Sequence, residues 1–116
     1  MEQLFQEIKE NIKGEVRFDE VSRKVYSVDA SIYEVEPLGI VLPKTKADIL
    51  RIVEIASKYG IPVVARGAAT GIAGGCISTG IVLDISKYLD RVLEVNIEEE
   101  YVVCEPGVIQ DDLNDR

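Results

Sequence analysis

Pro62-Val63-Val64-Ala65-Arg66-Gly67-Ala68-Ala69-Thr70-Gly71-Ile72-Ala73-Gly74-Gly75 joins an apolar, strand-like run to a loop that offers almost no side chains able to do chemistry. In such a loop the backbone is the functional part. Glycines at 67, 71, 74 and 75 permit positive φ and close approach of a ligand, while Ala68, Ala69 and Ala73 add little bulk. Successive amide N–H groups there can form a concave anion site, and a diphosphate is the commonest anion of that size. The plainer alternative is a tight surface turn.

Upstream, Gly39 to Leu42 is an apolar run closed by Pro43, the pattern of a strand buried on both faces. A helix follows. Thr45 is a good N-cap with Asp48 three positions on, Ile49, Ile52, Val53 and Ala56 fall on one face, and Tyr59-Gly60 ends it before Pro62. With the strand Pro62 to Ala65 this makes a βαβ unit, which is right-handed and parallel in nearly all cases. Downstream, Ile81-Val82-Leu83-Asp84 reads as a third short strand, and Ile85 to Asp90 as a turn-rich connection. Two alternating runs, Arg91 to Ile97 and Tyr101 to Glu105, resemble a hairpin whose connection around Glu98-Glu99-Glu100 is a solvated acidic loop. Pro106-Gly107-Val108 opens a last helix carrying Ile109 and Leu113.

At the other end, Leu4, Phe5, Ile8 and Ile12 recur at helical spacing, with Gly14 placed to stop the helix. Glu15 to Pro37 shows no clean periodicity and reads as loop with short turns. The expectation is therefore an α/β (α+β) chain with short parallel strands plus a β-hairpin.

With 116 residues the chain is one domain or a piece of one. A net charge of -8 disfavours nucleic acid and anionic membrane as general partners. Histidine is absent, which removes the usual general base and the commonest metal ligand, so no catalytic and no metal-binding residue is assigned. Cys76 and Cys104 lie far apart without a CxxC pattern, and a reducing cytoplasmic setting is the default expectation. No apolar run approaches a membrane span, and the start lacks the regions of a secretory signal.

Two nucleotide-binding loop types fail against the glycine-rich run. A P-loop ends in Gly-Lys-Ser/Thr, whereas this run ends Gly74-Gly75-Cys76. The dinucleotide fingerprint needs glycines spaced one and then three apart and running into a helix; Gly67 and Ala69 spoil the spacing, and Thr79-Gly80 before the next strand leaves no room for the helix.

The run Ala65 to Gly75 instead resembles the pyrophosphate loop of the flavoprotein family that includes vanillyl-alcohol oxidase and p-cresol methylhydroxylase (PCMH). Supporting matches are Pro37 to Pro43 with the Thr45 helix, Val82-Leu83-Asp84-Ile85-Ser86, and Glu105-Pro106-Gly107-Val108; Tyr26 to Tyr33 is most similar to the glycolate oxidase and D-lactate dehydrogenase branch. The resemblance implies an amino-terminal helix (1–14) followed by the amino-terminal part of a PCMH-type FAD-binding domain (15–116). It implies FAD as cofactor, with Gly67, Ala68, Ala69, Thr70, Gly71, Gly74 and Gly75 lining the diphosphate, and Pro106, Gly107 and Val108 passing close to it. For the last three the alternative is a proline-glycine turn before a helix. Arg66 would pair with a phosphate or be held in a structural carboxylate contact. Cys76 reads as a small buried residue rather than a flavin attachment.

Ala69 departs from the family, where glycine is usual; if that position needs positive φ, alanine strains the loop by about 1 kcal/mol. The implied function is the FAD-diphosphate-binding portion of a flavin-dependent D-2-hydroxy acid dehydrogenase or oxidase of lactate or glycolate type, inactive alone. Its implied partners are FAD and the remainder of the flavoenzyme, or a second copy through self-association. The alternative is a small non-catalytic module that binds a nucleotide or a partner chain.

Overall fold

Two four-residue strands, β2 (Gly39–Leu42) and β4 (Ile81–Asp84), are buried along their whole length, as continuous apolar runs in the middle of a sheet must be. The computed structural model describes residues 2–28, 30, 31, 33–69, 75, 77, 79–109 and 113. In chain order the elements are α1 (Glu2–Asn11), β1 (Glu15–Arg17), α2 (Glu20–Val25), β2, α3 (Lys46–Lys58), β3 (Val63–Arg66), β4, β5 (Val92–Asn96) and β6 (Tyr101–Cys104). The main sheet has the order β1-β2-β4-β3. β4 pairs in parallel with both β2 and β3, so the β2–α3–β3 crossover spans one intervening strand.

Side chains alternate across this sheet. Val41, Ile81 and Leu83 face α1 and α3, where Leu4, Phe5, Ile8, Ile52, Ile55 and Ala56 complete the main core. Ile40, Leu42 and Val82 face the other way, against Tyr26, Val64 and Tyr88. Each fully buried aliphatic side chain contributes about 1.5–3 kcal/mol. Thr45 caps α3 as expected, its hydroxyl accepting from the Asp48 N–H. Gly60, at φ +68, closes the helix, with the Ile61 N–H donating to the Ala56 carbonyl at 2.9 Å.

Four expectations need correction. The stretch from Glu15 to Pro37 is not all loop: β1 pairs antiparallel with β2, and α2 is a short helix capped by Asp19, whose carboxylate accepts from the Ser22 N–H at 2.9 Å. β1 is a three-residue edge strand, and α2 buries no residue, so neither carries an apolar period. On α3 the buried face is Asp48, Ile52, Ile55 and Ala56; Val53 is 49% exposed, because the face is centred one residue round the helix from the expected one. α1 ends at Asn11, before Gly14. Gly14 is required for proximity instead, since a Cβ there would lie 2.1 Å from the Leu42 carbonyl oxygen. The strand expected over Pro62 to Ala65 runs one residue later, ending on Arg66, which pairs with Asp84.

The hairpin forms as expected, β5 against β6, as a separate two-stranded sheet. Its base is fastened by Arg91 and Glu105: the guanidinium Nε donates to Glu105 Oε1 at 2.8 Å, and the Glu105 N–H donates to the Arg91 carbonyl at 2.9 Å. Glu98, Glu99 and Glu100 are exposed, with Glu100 at φ +58 in the turn. Leu93, Val95, Ile97, Val102 and Val103 are also exposed, and a hairpin with neither face covered is marginal on its own. Of the last expected helix, the Leu113 N–H donates to the Ile109 carbonyl at 3.0 Å; residues 110–112 and 114–116 lie outside the described residues. Among the described residues no helix is long and apolar enough to cross a membrane.

Candidate functional site

The carboxyl ends of parallel strands are where an α/β sheet presents its loops to a ligand, and here β3 and β4 end side by side, Arg66 against Asp84. The Ile85 N–H extends the ladder by donating to the Arg66 carbonyl at 3.0 Å. β3 delivers Gly67, Ala68 and Ala69; β4 delivers a turn in which the Leu89 N–H donates to the Ile85 carbonyl at 3.3 Å. The segment after β6 returns onto that turn. There the Gly107 N–H donates to the Leu89 carbonyl at 2.7 Å, and the Val108 N–H to the Glu105 carbonyl at 3.2 Å.

These three segments enclose a cavity of about 490 Å³, within the size range of small-ligand sites. Gly67 and Ala68 line it from the loop after β3, Ser86 and Asp90 from the turn after β4, and Gly107 and Val108 from the segment after β6. Val92 and Ile109 supply apolar surface. Asp90 is the only charged side chain among the described lining residues. Anion binding on the loop side would therefore rest on main-chain amides.

The wall behind Ser86 is a polar cluster. Asp84, 7% exposed, accepts from the Tyr26 hydroxyl through Oδ2, and through Oδ1 from the Ser86 N–H at 2.9 Å and the Ser86 hydroxyl at 2.6 Å. Burial, reinforced by the hydrogen bond to the Asp84 carboxylate and its negative charge, pushes the Tyr26 phenol up to about 12, so it stays a donor throughout the physiological range. The Arg66 guanidinium lies 5.0 Å from the centroid of the Tyr26 ring, and its Nη1 donates to the Tyr26 carbonyl at 3.3 Å. Among the described residues the Arg66 guanidinium thus meets an aromatic face and a carbonyl rather than a carboxylate, and Arg66 is not one of the described residues that line the cavity.

Of the other candidate residues, Gly67, Ala68, Gly107 and Val108 come together around one cavity although they are distant in sequence. Pro106 sits in the exposed turn before Gly107. Ala69 is tied back by the Ala30 N–H, which donates to its carbonyl at 3.0 Å, and it adopts φ +59. The condition set for strain at this alanine is therefore met, at about 1 kcal/mol. Thr70, Gly71, Gly74 and Cys76 lie outside the described residues. Gly75 is described and exposed, and a Cβ built at Gly67 or Gly75 would meet nothing within 4 Å. Among the described residues, none fills the space above either glycine. Sequence reasoning did not single out Ser86 and Asp90 as site residues, nor Val92 and Ile109. Only Ser86 carried a signal, at the end of the Val82 to Ser86 match.

Residues 37–116 match the family of FAD binding domains. The chain belongs to this FAD-binding family. Its fold is the expected mixed α/β architecture of a PCMH-type domain, and FAD is the cofactor of the family. The chain is similar to D-2-hydroxyglutarate dehydrogenase of Haemophilus influenzae, 34% identical over 108 residues, covering 90% of this chain and 10% of that protein. It is also similar to the glycolate oxidase subunit GlcD of Bacillus subtilis, 34% identical over 116 residues, covering 97% of this chain and 24% of that one. Among solved structures, 4-ethylphenol oxidase from Gulosibacter chungangensis superposes with a TM-score of 0.76 at 28% identity, over 98% of this chain and 23% of that one. An alkyldihydroxyacetonephosphate synthase shares the fold with a TM-score of 0.84 at 20% identity, over 99% of this chain and 24% of its own. The FAD-binding chain thus spans between about a tenth and a quarter of the length of these relatives.

Proposed function

We propose that this chain supplies the diphosphate-binding part of the FAD site in a flavin-dependent D-2-hydroxy acid dehydrogenase or oxidase, and that it is catalytically inactive alone. The observation that carries the cofactor role is the cavity that gathers Gly67 and Ala68 with Gly107 and Val108, two segments distant in sequence. In this reading residues 1–14 are an amino-terminal helix and 15–116 part of the FAD-binding domain. Amides of the loop from Gly67 to Gly75 hold the diphosphate, with Thr70 adding its hydroxyl, and Arg66 orders the loop entrance through Tyr26. Bound FAD supplies hydride acceptance from the carbon that bears the substrate hydroxyl. This chain's part is to bind and orient, because it has no histidine to take the hydroxyl proton. The choice of substrate class is supported by the similarity to D-2-hydroxyglutarate dehydrogenase and the glycolate oxidase subunit. The uncovered apolar residues of the β5–β6 hairpin support the remainder of the flavoenzyme as a further partner.

Adding FAD to the chain and following flavin fluorescence is expected to show saturable one-to-one binding. Adding D-lactate, D-2-hydroxyglutarate or glycolate without oxygen should then leave the flavin oxidised. Bleaching of the flavin by any of these with the chain alone would contradict the assigned division of labour, and failure to bind FAD would contradict the cofactor role.

A further inference from the structure

Two kinds of polar group border the cavity, and they select for different parts of a ligand. A serine hydroxyl has one proton to donate and two lone pairs to accept with. The Ser86 proton is committed to Asp84 Oδ1 at 2.6 Å, a charge-assisted bond to a buried carboxylate that also holds the Ser86 N–H and the Tyr26 hydroxyl. Towards the cavity Ser86 is therefore an acceptor only. Asp90 lies four residues on, just past the turn that the Leu89 N–H closes on the Ile85 carbonyl, and it lines the same cavity as Ser86. Its carboxylate also only accepts. Phosphate oxygens accept as well, so a diphosphate gains nothing from this pair and is repelled by Asp90. Hydroxyl groups donate.

We propose that Ser86 and Asp90 form an acceptor pair that reads the sugar hydroxyls of the dinucleotide, while the diphosphate stays on the glycine-rich side. This rests on the reading that FAD occupies the cavity. The diphosphate of FAD is flanked by a ribityl chain on one side and a ribose on the other, both carrying adjacent hydroxyls. Two acceptors lining one cavity suit either. Specificity arises because a ligand without those hydroxyls leaves the Asp90 carboxylate and the Ser86 oxygen facing apolar atoms or phosphate.

The test measures the affinity of the full chain for FAD, FMN and ADP, with Ser86→Ala, Ser86→Thr and Asp90→Ala beside the unaltered protein. Ser86→Ala also removes one of the three bonds that Asp84 accepts, leaving it the Tyr26 hydroxyl and the residue-86 N–H, whereas Ser86→Thr keeps a hydroxyl for Asp84. Ser86→Ala is expected to weaken FAD about fivefold, the effect of one neutral hydrogen bond, and Ser86→Thr to restore affinity to within about twofold. Asp90→Ala is read in about 1 M salt, where the Debye length is about 3 Å and loss of its charge repulsion no longer masks loss of its hydrogen bonds; a drop of about tenfold is expected. A loss shared with ADP but not FMN assigns the pair to the ribose, and the converse to the ribityl chain. Unchanged FAD affinity in Ser86→Ala, or an equal loss in Ser86→Thr, overturns the proposal. If the unaltered chain binds none of the three, the cofactor reading itself fails, and the pair with it.

Discussion

Gly107→Ala is expected to lower FAD affinity by more than about tenfold and to cost about 1–3 kcal/mol of stability, the usual penalty for overpacking. A Cβ at this position would lie 2.3 Å from the Ile85 carbonyl oxygen and 2.5 Å from that of Leu89. Both are main-chain atoms of the turn that carries Ser86 and Asp90, so no side-chain rotation relieves the clash. The segment must lift, lengthening the 2.7 Å bond from the Gly107 N–H to the Leu89 carbonyl and drawing Val108 away from Gly67 and Ala68. The paired control is Gly67→Ala, where a Cβ meets nothing within 4 Å among the described residues. That variant should keep its stability and lose FAD affinity only by filling the cavity. Urea denaturation with FAD titration of both variants checks the contrast. Wild-type FAD affinity in Gly107→Ala would show that the segment after β6 does not border the cofactor.

The second large effect is structural. Asp48 is 3% exposed on α3, and its carboxylate accepts from the Lys13 N–H at 3.0 Å and the Lys44 N–H at 2.9 Å. It ties the link between α1 and β1 to the end of β2. Asp48→Ala leaves those amides unpaired and should cost about 2–4 kcal/mol near neutral pH, since hydrogen bonds to a charged group are the expensive ones to lose. Burial pushes the Asp48 carboxyl up, but the amides of Lys13, Lys44 and Gly14 and the Thr45 hydroxyl outweigh it, and the net shift is below the ordinary 3.8. With the folded value depressed, the stabilisation is fully present above the unfolded value and is lost as pH falls through the folded one. The stability gap between wild type and Asp48→Ala should therefore be widest near pH 6 and narrow below about pH 4. A gap that stays constant down to pH 2 would contradict this account.

The core was legible because its elements carry their own periodic signals: β2 and β4 as uninterrupted apolar runs, α3 with a threonine cap and a glycine stop, the hairpin as two alternating runs. β1 and α2 were not, because an edge strand of three residues and a helix that buries nothing leave no pattern. The apolar spacing points Val53 inward and not Ile55 because two adjacent helix faces are almost equally apolar, and only packing against α1 and the sheet decides between them. At the site, the glycine-rich loop and Gly107 were visible as backbone features. Ser86 and Asp90 were not, since their place depends on how the turn after β4 meets the segment after β6, a contact between segments that no local pattern encodes.

In the proposed FAD site the loop after β3 supplies the amides that hold the cofactor, and the segment after β6, whose Gly107 and Val108 N–H groups are engaged by the Leu89 and Glu105 carbonyls, closes the cavity from the other side. Mapping amide chemical-shift changes while FAD is added to the chain tests this arrangement most directly. The largest changes are expected on Gly67, Ala68, Gly107 and Val108, with Ser86 and Asp90 following. Changes confined to the outer face of α3 around Leu50 and Val53, or none at saturating FAD, would contradict it.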